Sequence, residues 1–319
     1  MSDSSEHFPV MKHEMLNALD PKESEIYIDG TLGAGGYTRA ILAAADCSAI
    51  AIDQDPLAHK MAADWMQQYG DRLHLAVGNF SEMVELANNI GHQSIDGVVL
   101  DIGVSSMQFD QAERGFSFNK NAPLDMRMSQ AGMSAADFLN EASEADIADV
   151  LYVYGEEHAS RRVAKFIVEA RAEKTITHTV QLRDIIHKAI GNKGKIDSAT
   201  KSFQALRIHV NGELDALKAG LKAAEQLLKP EGRLIVVSFH SLEDRIVKQF
   251  MQVRSTPPAQ HRHMPDIAND NFLPSFTLGK PRKLKASKEE CAENPRSRSA
   301  VMRVAIRTEH PPMNMEAAA

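Results

Sequence analysis

Short β-branched runs alternate along the first hundred residues with stretches whose apolar positions recur every three or four residues. The first pattern predicts strands and the second amphipathic helices. Strands are expected at Glu25 to Asp29, Ala49 to Asp53, Leu73 to Val77 and Asp96 to Asp101. Helices are expected between them at Thr38 to Ala45, Pro56 to about Tyr69, and Ser81 to Asn89. The run Gly97-Val98-Val99-Leu100 is apolar on both faces, as a central parallel strand requires. Repeated βα units of this length imply a parallel sheet with right-handed crossovers. From about Ser134 to Val210 only helical periodicity remains, at Ser143 to Tyr154, His158 to Glu173, Val180 to Ile190 and Ala199 to Val210. The sheet pattern then resumes. A helix from Glu213 to Leu228 ends at the breaker Lys229-Pro230-Glu231-Gly232, and strands are expected at Arg233 to Phe239 and Val301 to Arg307. The economical organisation is an α/β core over 1–112 and 208–319, interrupted by an all-helical insertion over 113–207.

The 319 residues are 43% hydrophobic and 25% charged, an ordinary balance for a globular chain. The start, Met1-Ser2-Asp3-Ser4-Ser5-Glu6, is polar and acidic, unlike a targeting peptide. No apolar run reaches the ~18 residues of a membrane span, so a cytoplasmic protein is expected. Cys47 and Cys291 lie far apart in no ligand spacing, and no metal site is expected. The formal net charge is −7, yet Lys280, Arg282, Lys283, Lys285, Lys288, Arg296, Arg298 and Arg303 cluster late in the chain. Lys193, Lys195, Lys201 and Arg207 form a second basic stretch. Local basic patches on an acidic body suit a polyanionic partner held without indiscriminate binding, although solvated faces also look like this. Ser255 to Pro281, rich in Pro, His, Asn and Asp, is expected to be a long loop. His261-Arg262-His263 within it lacks the Cys or carboxylate neighbours of a metal site.

The chemistry concentrates where strands end. After Tyr27-Ile28-Asp29 come four glycines in seven residues, Gly30, Gly33, Gly35 and Gly36, and Asp53 closes the next strand 17 residues after Gly36. A glycine loop followed about 20 residues later by a carboxylate is the pattern of a nucleoside site. Ligands in open α/β sheets sit beyond the carboxyl ends of the strands, which adds Phe80, Asp101 and His240. A nicotinamide dinucleotide would want Gly-x-Gly-x-x-Gly, but Gly33-Ala34-Gly35-Gly36-Tyr37-Thr38 has no glycine at the third position. The sulfonium of S-adenosyl-L-methionine better suits a loop beside Asp29, Asp53 and Asp101.

Longer blocks carry a specific resemblance. Asp101-Ile102-Gly103-Val104-Ser105-Ser106, Glu113-Arg114-Gly115-Phe116-Ser117-Phe118 and Pro123-Leu124-Asp125-Met126-Arg127-Met128 follow one another. Tyr154-Gly155-Glu156-Glu157, Phe203-Gln204-Ala205-Leu206-Arg207 and Ser238-Phe239-His240-Ser241-Leu242-Glu243-Asp244-Arg245 complete the series, flanked by His7-Phe8-Pro9-Val10-Met11 and Asn294-Pro295-Arg296-Ser297-Arg298-Ser299. In this order the blocks resemble the bacterial RsmH/MraW family, which methylates N4 of a cytidine in the decoding region of 16S rRNA. The resemblance implies a Rossmann-like S-adenosylmethionine-dependent methyltransferase sheet, with the helical insertion serving substrate recognition. It implies 16S rRNA or the small ribosomal subunit as partner and leaves a homodimer open. It places the cofactor on Gly33, Gly35, Gly36, Tyr37, Asp53, Phe80, Asp101 and Gln108. Tyr37 and Met107 stand where many relatives carry His and Pro.

The amine of cytosine is a poor nucleophile, and acceptors for its hydrogens would stabilise the charge that develops on nitrogen. Asp101 takes the place of the Asp/Asn-Pro-Pro-aromatic acid of other amino-methyltransferases, and with Ser105 is expected to position the amine. Phe116 and Phe118 are candidates to stack on an unstacked base, with core packing as the competing reading. His240 reads as a general base or as a residue behind a helix capped by Ser241. Ser241, His240 and Asp244 make no hydrolase triad, since no nucleophile elbow is present. A non-catalytic rRNA-binding assembly factor, an NAD-dependent dehydrogenase and a small-molecule methyltransferase stay open as alternatives.

Overall fold

The β-branched runs pair as parallel neighbours. In the computed structural model, which describes residues 9–257 and 272–313, eight strands among the described residues form one sheet. They are β1 (Ile26–Asp29), β2 (Ser48–Asp53), β3 (Leu73–Val77), β4 (Ile95–Asp101), β5 (Leu228–Ser238), β6 (Phe276–Leu278), β7 (Leu284–Lys285) and β8 (Val301–Arg307). The order is β3-β2-β1-β4-β5-β8-β6, with β7 also on β8. β1 to β5 run parallel, and β8 is antiparallel to β5. The order reverses between β1 and β4, which makes their carboxyl ends the switch point of the sheet.

Helices α1 (Lys12–Leu19), α2 (Gly36–Ala44), α3 (Pro56–Met66) and α4 (Met83–Asn89) accompany the first strands. The chain divides into two compact units. One comprises the described residues of 1–103 and 214–319, the other Val104–Glu213; the span 113–207 lies wholly inside the second. In the first unit, Ile28, Ile50, Ile52, Val98 and Leu100 of the strands pack with Met83 of α4 and with Leu217 and Leu221 of the helix Glu213–Leu227. Each fully buried aliphatic side chain stabilises the fold by about 1.5–3 kcal/mol before chain entropy is counted.

The second unit holds α5 (Ser106–Asp110), α6 (Ala135–Glu141), α7 (Glu144–Gly155), α8 (Ser160–Glu173), α9 (Thr179–Ile190) and α10 (Ala199–Asn211). Its core joins Leu139, Ile147, Leu151, Val163, Ile167 and Leu206. Asp125 and Arg127 form a paired ion bridge at 2.9 and 2.6 Å. Asn211 ties this segment to α10, accepting from the amide of Met128 at 2.7 Å and donating to the carbonyl of Met126 at 2.8 Å. The returning chain forms α11 (Glu213–Leu227), then α12 (Ser241–Ser255) and α13 (Lys288–Glu293).

Two expectations need correcting. The strand expected from Arg233 begins at Leu228, because Lys229 to Gly232 bulge out of the ladder, with Glu231 at φ 66°, before pairing resumes at Gly97↔Arg233. Lys229 is held there by Asp96 at 2.9 Å. The loop expected over Ser255 to Pro281 contains the edge strand β6, whereas residues 258–271, with His261-Arg262-His263, lie outside the described residues. Of the two readings of Phe116 and Phe118, the structure favours core packing: Phe116 is buried in the helical unit and Phe118 packs half-buried against it, meeting Phe203 edge-on at 4.8 Å.

Candidate functional site

Asp29, Asp53 and Asp101 close β1, β2 and β4, three parallel neighbours, and therefore gather at one edge of the sheet. Each carboxylate is treated differently there. Asp29 is fully buried and accepts from Thr38 Oγ1 at 2.6 Å and from the amide of Thr31 at 3.1 Å. Burial pushes its pKa up, against these two hydrogen bonds. Asp53 uses one lone pair on each oxygen, accepting from the amides of Gly33 and Asp55 at 2.8 Å. Burial raises its pKa as well, against the same amides. Asp101 has its amide bonded to Thr31 Oγ1 at 2.8 Å, yet its buried Oδ1 has no partner among the described residues. Burial, then the nearby Asp29 and Glu243, push its carboxyl up to about 8.

Three acids held above their ordinary range, with one oxygen orphaned, form a site short of a cation and of hydrogen-bond donors. Two unused lone pairs on Asp53 suit vicinal hydroxyls, and the negative potential suits a sulfonium. The residues fit S-adenosyl-L-methionine.

The glycine loop between β1 and α2 is built by packing as much as by any ligand. Gly35 has φ 78°, and a Cβ there would lie 2.2 Å from the Trp65 ring of α3. At Gly36 a Cβ would meet Pro9 at 2.9 Å. Tyr37 is buried, with its hydroxyl donating to the carbonyl of Val10; burial, then Asp101 and Asp29, hold its pKa well above the ordinary value. The Pro9-Val10 segment thus lies against the loop. Sequence reasoning missed Trp65, because α3 was legible as a helix but not the loop it faces, and gave Pro9 and Val10 no part in that loop. It also missed the bonds of Thr31 and Thr38 to the strand ends.

Phe80 opens a short 3₁₀ turn capped by Asn79 and Glu82. Its ring lies against Gly220 of α11, where a Cβ would come within 2.4 Å. In the helical unit, Ser105 caps α5 reciprocally with Gln108: the amide of Gln108 donates to Ser105 Oγ at 3.2 Å, and that of Ser105 to Gln108 Oε1 at 3.1 Å. Ser105 is thus engaged as a helix cap.

His240, not Ser241, is the N-cap of α12, its Nδ1 accepting from the amide of Glu243 at 3.4 Å. Glu243 Oε2 accepts in return from the amides of Phe239 and His240. His240 Nε2 approaches Glu243 Oε1 at 2.9 Å without the alignment of a hydrogen bond. Asp244 faces away from any triad, accepting from Arg303 Nε at 2.7 Å and Nη2 at 3.1 Å. Burial would raise it, but Arg303 and Lys283 hold its carboxyl below the usual range. Of the second basic stretch, Arg207 is paired with Glu213 and Lys201 donates to the carbonyl of Glu156. Among the described residues there is no group of metal-ligating side chains, and no helix is long and apolar enough to cross a membrane.

A Rossmann-like sheet with a glycine loop, an acid on β2 that keeps lone pairs unused and an uncompensated acid on β4 is the frame of an S-adenosyl-L-methionine-dependent methyltransferase. The chain belongs to the MraW methylase family, whose model matches residues 4–308. It is 53% identical over 308 residues to the ribosomal RNA small subunit methyltransferase H of Maricaulis maris, covering 96% of this chain and 92% of that one. It is 52% identical to the protein of the same name from Cereibacter sphaeroides, with 96% and 91% covered. The Rhodopseudomonas palustris protein of that name is 53% identical over 306 residues, with 96% and 92% covered.

Proposed function

We propose that this enzyme methylates N4 of a cytidine in the decoding region of 16S rRNA within the small ribosomal subunit. The activity for which relatives aligning along 96% of the chain are named supports the RNA class. The ordered motif blocks support the nucleotide. The observation that carries the chemistry is the partnerless buried Oδ1 of Asp101 at the end of β4.

Bound S-adenosyl-L-methionine would supply an electrophilic methyl group. The chain's own part is to make the amine reactive. In its ionised form Asp101 accepts a hydrogen from N4, which holds the amine in place and stabilises the positive charge that develops as the N–C bond forms. A carboxyl whose pKa lies at about 8 is also a competent acceptor for the proton that N4 must release. Gly33, Gly35, Gly36, Asp53 and Phe80 would hold the cofactor, Asp53 through the ribose hydroxyls. Tyr37 would act through the loop, since its hydroxyl is spent on Val10, and Gln108 would line the approach of the base. The helical unit, inserted between β4 and β5 in chain order, would contribute substrate recognition.

The test is methyl transfer from isotope-labelled cofactor to small subunits from cells lacking this gene, followed by nucleoside mass spectrometry. N4-methylcytidine is expected with the wild-type protein and should fall by about 10²–10³-fold with Asp101→Ala, the usual cost of removing a transition-state hydrogen-bonding group. Cofactor binding with no label on subunits or naked rRNA would instead support an assembly factor.

A further inference from the structure

The late basic cluster acquires a location in the structure that its sequence does not disclose. Asp101 pairs with Val237 of β5, Val237 with Met302 of β8, and Met302 with Leu284 of β7. Leu284 therefore stands in the same row of the sheet as Asp101, three strand spacings away, or about 14 Å. The segment from Lys280 joins this edge through β7, reaches Met11 through Glu290 of α13, and passes by the turn Pro295–Ser299 into Val301, which pairs with Ser238 at the end of β5. It carries seven Lys and Arg against three Glu, in a chain whose net charge is −7.

The cations divide by their bonds. Arg303 is nine-tenths buried and, with Lys283, neutralises Asp244, so this pair is structural. Arg282, Lys285, Lys288 and Arg298 are exposed, and no described carboxylate pairs with their side chains. Glu290, one of the three acids, is turned to other use: its Oε1 accepts from the amide of Met11 at 2.8 Å, beside the Pro9-Val10 segment that packs on the glycine loop. Glu289 and Glu293 remain exposed on α13. Unpaired guanidinium and ammonium groups along a rim are the electrostatic footprint of a phosphate backbone.

We infer that this rim, from Arg282 to Arg298, is the surface on which the phosphate backbone of the RNA docks while its target base is delivered to the β4 end. The inference rests on the RNA substrate proposed above. It makes the C-terminal segment of the sheet unit an RNA-binding element in its own right, alongside the helical insertion. It also separates two uses of basic residues: Arg303 and Lys283 hold the fold, and the four exposed cations hold the ligand.

The experiment measures binding of an unmodified decoding-region rRNA fragment across a salt series, using full-length protein. The variant Arg282→Gln/Lys285→Gln/Lys288→Gln/Arg298→Gln should lose roughly tenfold to a hundredfold in affinity near physiological salt. Its log–log salt dependence should be shallower by about 3, the value for four lost single-strand contacts. Its affinity for S-adenosyl-L-methionine should equal that of the wild type. Lys218→Gln/Lys222→Gln, on the exposed side of α11, changes net charge without touching the rim and should leave the slope unaltered. If the fourfold variant is poorly folded, Arg282→Gln/Lys285→Gln and Lys288→Gln/Arg298→Gln should each remove about half of the slope change. A wild-type slope in the rim variants, or an equal loss in the α11 variant, overturns the inference. Because binding is read without turnover, a rim effect in a protein that transfers no methyl would sustain the inference and sink the proposed reaction. Methylation with an unchanged slope would do the reverse.

Discussion

Asp101 and Glu225 are both carboxylates with buried oxygens in the same unit, and their surroundings treat them oppositely. Glu225 is 2% exposed and every approach to it is a donor: Arg254 Nε and Ser275 Oγ at 2.6 Å, and the amide of Met313 at 3.0 Å. Arg307 adds a bond to its main-chain carbonyl at 3.1 Å. The result joins α11, α12 and the segments flanking β6 and β8. Asp101, at the opposite extreme, has a buried oxygen with no donor and further acids for neighbours. A buried charge that is fully met stabilises one arrangement of the chain. One that is left unmet is held there by the rest of the fold and awaits a ligand.

The sharpest way to break this contrast is to remove Glu225. Glu225→Ala leaves Arg254 buried without its acid and is expected to cost about 3–5 kcal/mol. That cost should appear as a large fall in denaturation midpoint, with methyl transfer per folded molecule unchanged.

Asp101→Asn should act in the other direction on stability. The folded pKa of Asp101 is about 8 against an ordinary 3.8, so the unfolded chain releases this proton first. Below about pH 4 both states hold the proton and the site contributes nothing. As pH climbs towards about 8, stability is progressively lost. The variant should therefore match the wild type at acid pH and exceed it by on the order of a few kcal/mol at pH 8, while losing turnover. Equal denaturation curves at both pH values would contradict the assignment.

The smallest expected effect is at the loop. Gly35→Ala places a methyl group at φ 78° against Trp65, costing about 1–3 kcal/mol. Trp65 is the chain's one tryptophan, so a change in its emission and a weakened cofactor affinity should accompany the loss.

Much of the sheet was legible because a parallel strand buried on both faces must be a short apolar run, and each run ends where the chain turns. Ala49 to Asp53 and Asp96 to Asp101 fall within one residue of β2 and β4, where the pattern puts them. The acids Asp29, Asp53 and Asp101 were legible for the same reason, since the last residue of such a run sits at the switch edge. Their electrostatics were not. The electrostatics of the Asp101 carboxyl depend on Asp29 and Glu243, 72 and 142 residues away in the chain. Glu225 and its donors are likewise separated by 29, 50 and 88 residues, and no local pattern announces them. Phe116 and Phe118 could be read only as alternatives, because an aromatic pair beside a motif block looks the same whether it faces a base or Phe203. His240 was read as a bystander to Ser241, although its own imidazole caps the helix.

The most direct measurement is calorimetric titration of S-adenosyl-L-methionine into the wild type and Asp101→Asn between pH 6 and 9. If the orphaned carboxylate is the counter-charge of the site, wild-type affinity should rise with pH by up to about tenfold per unit below about 8 and level off above it. Asp101→Asn should lack that rise. A wild-type affinity flat across this range, or a rise that persists in Asp101→Asn, would contradict the account.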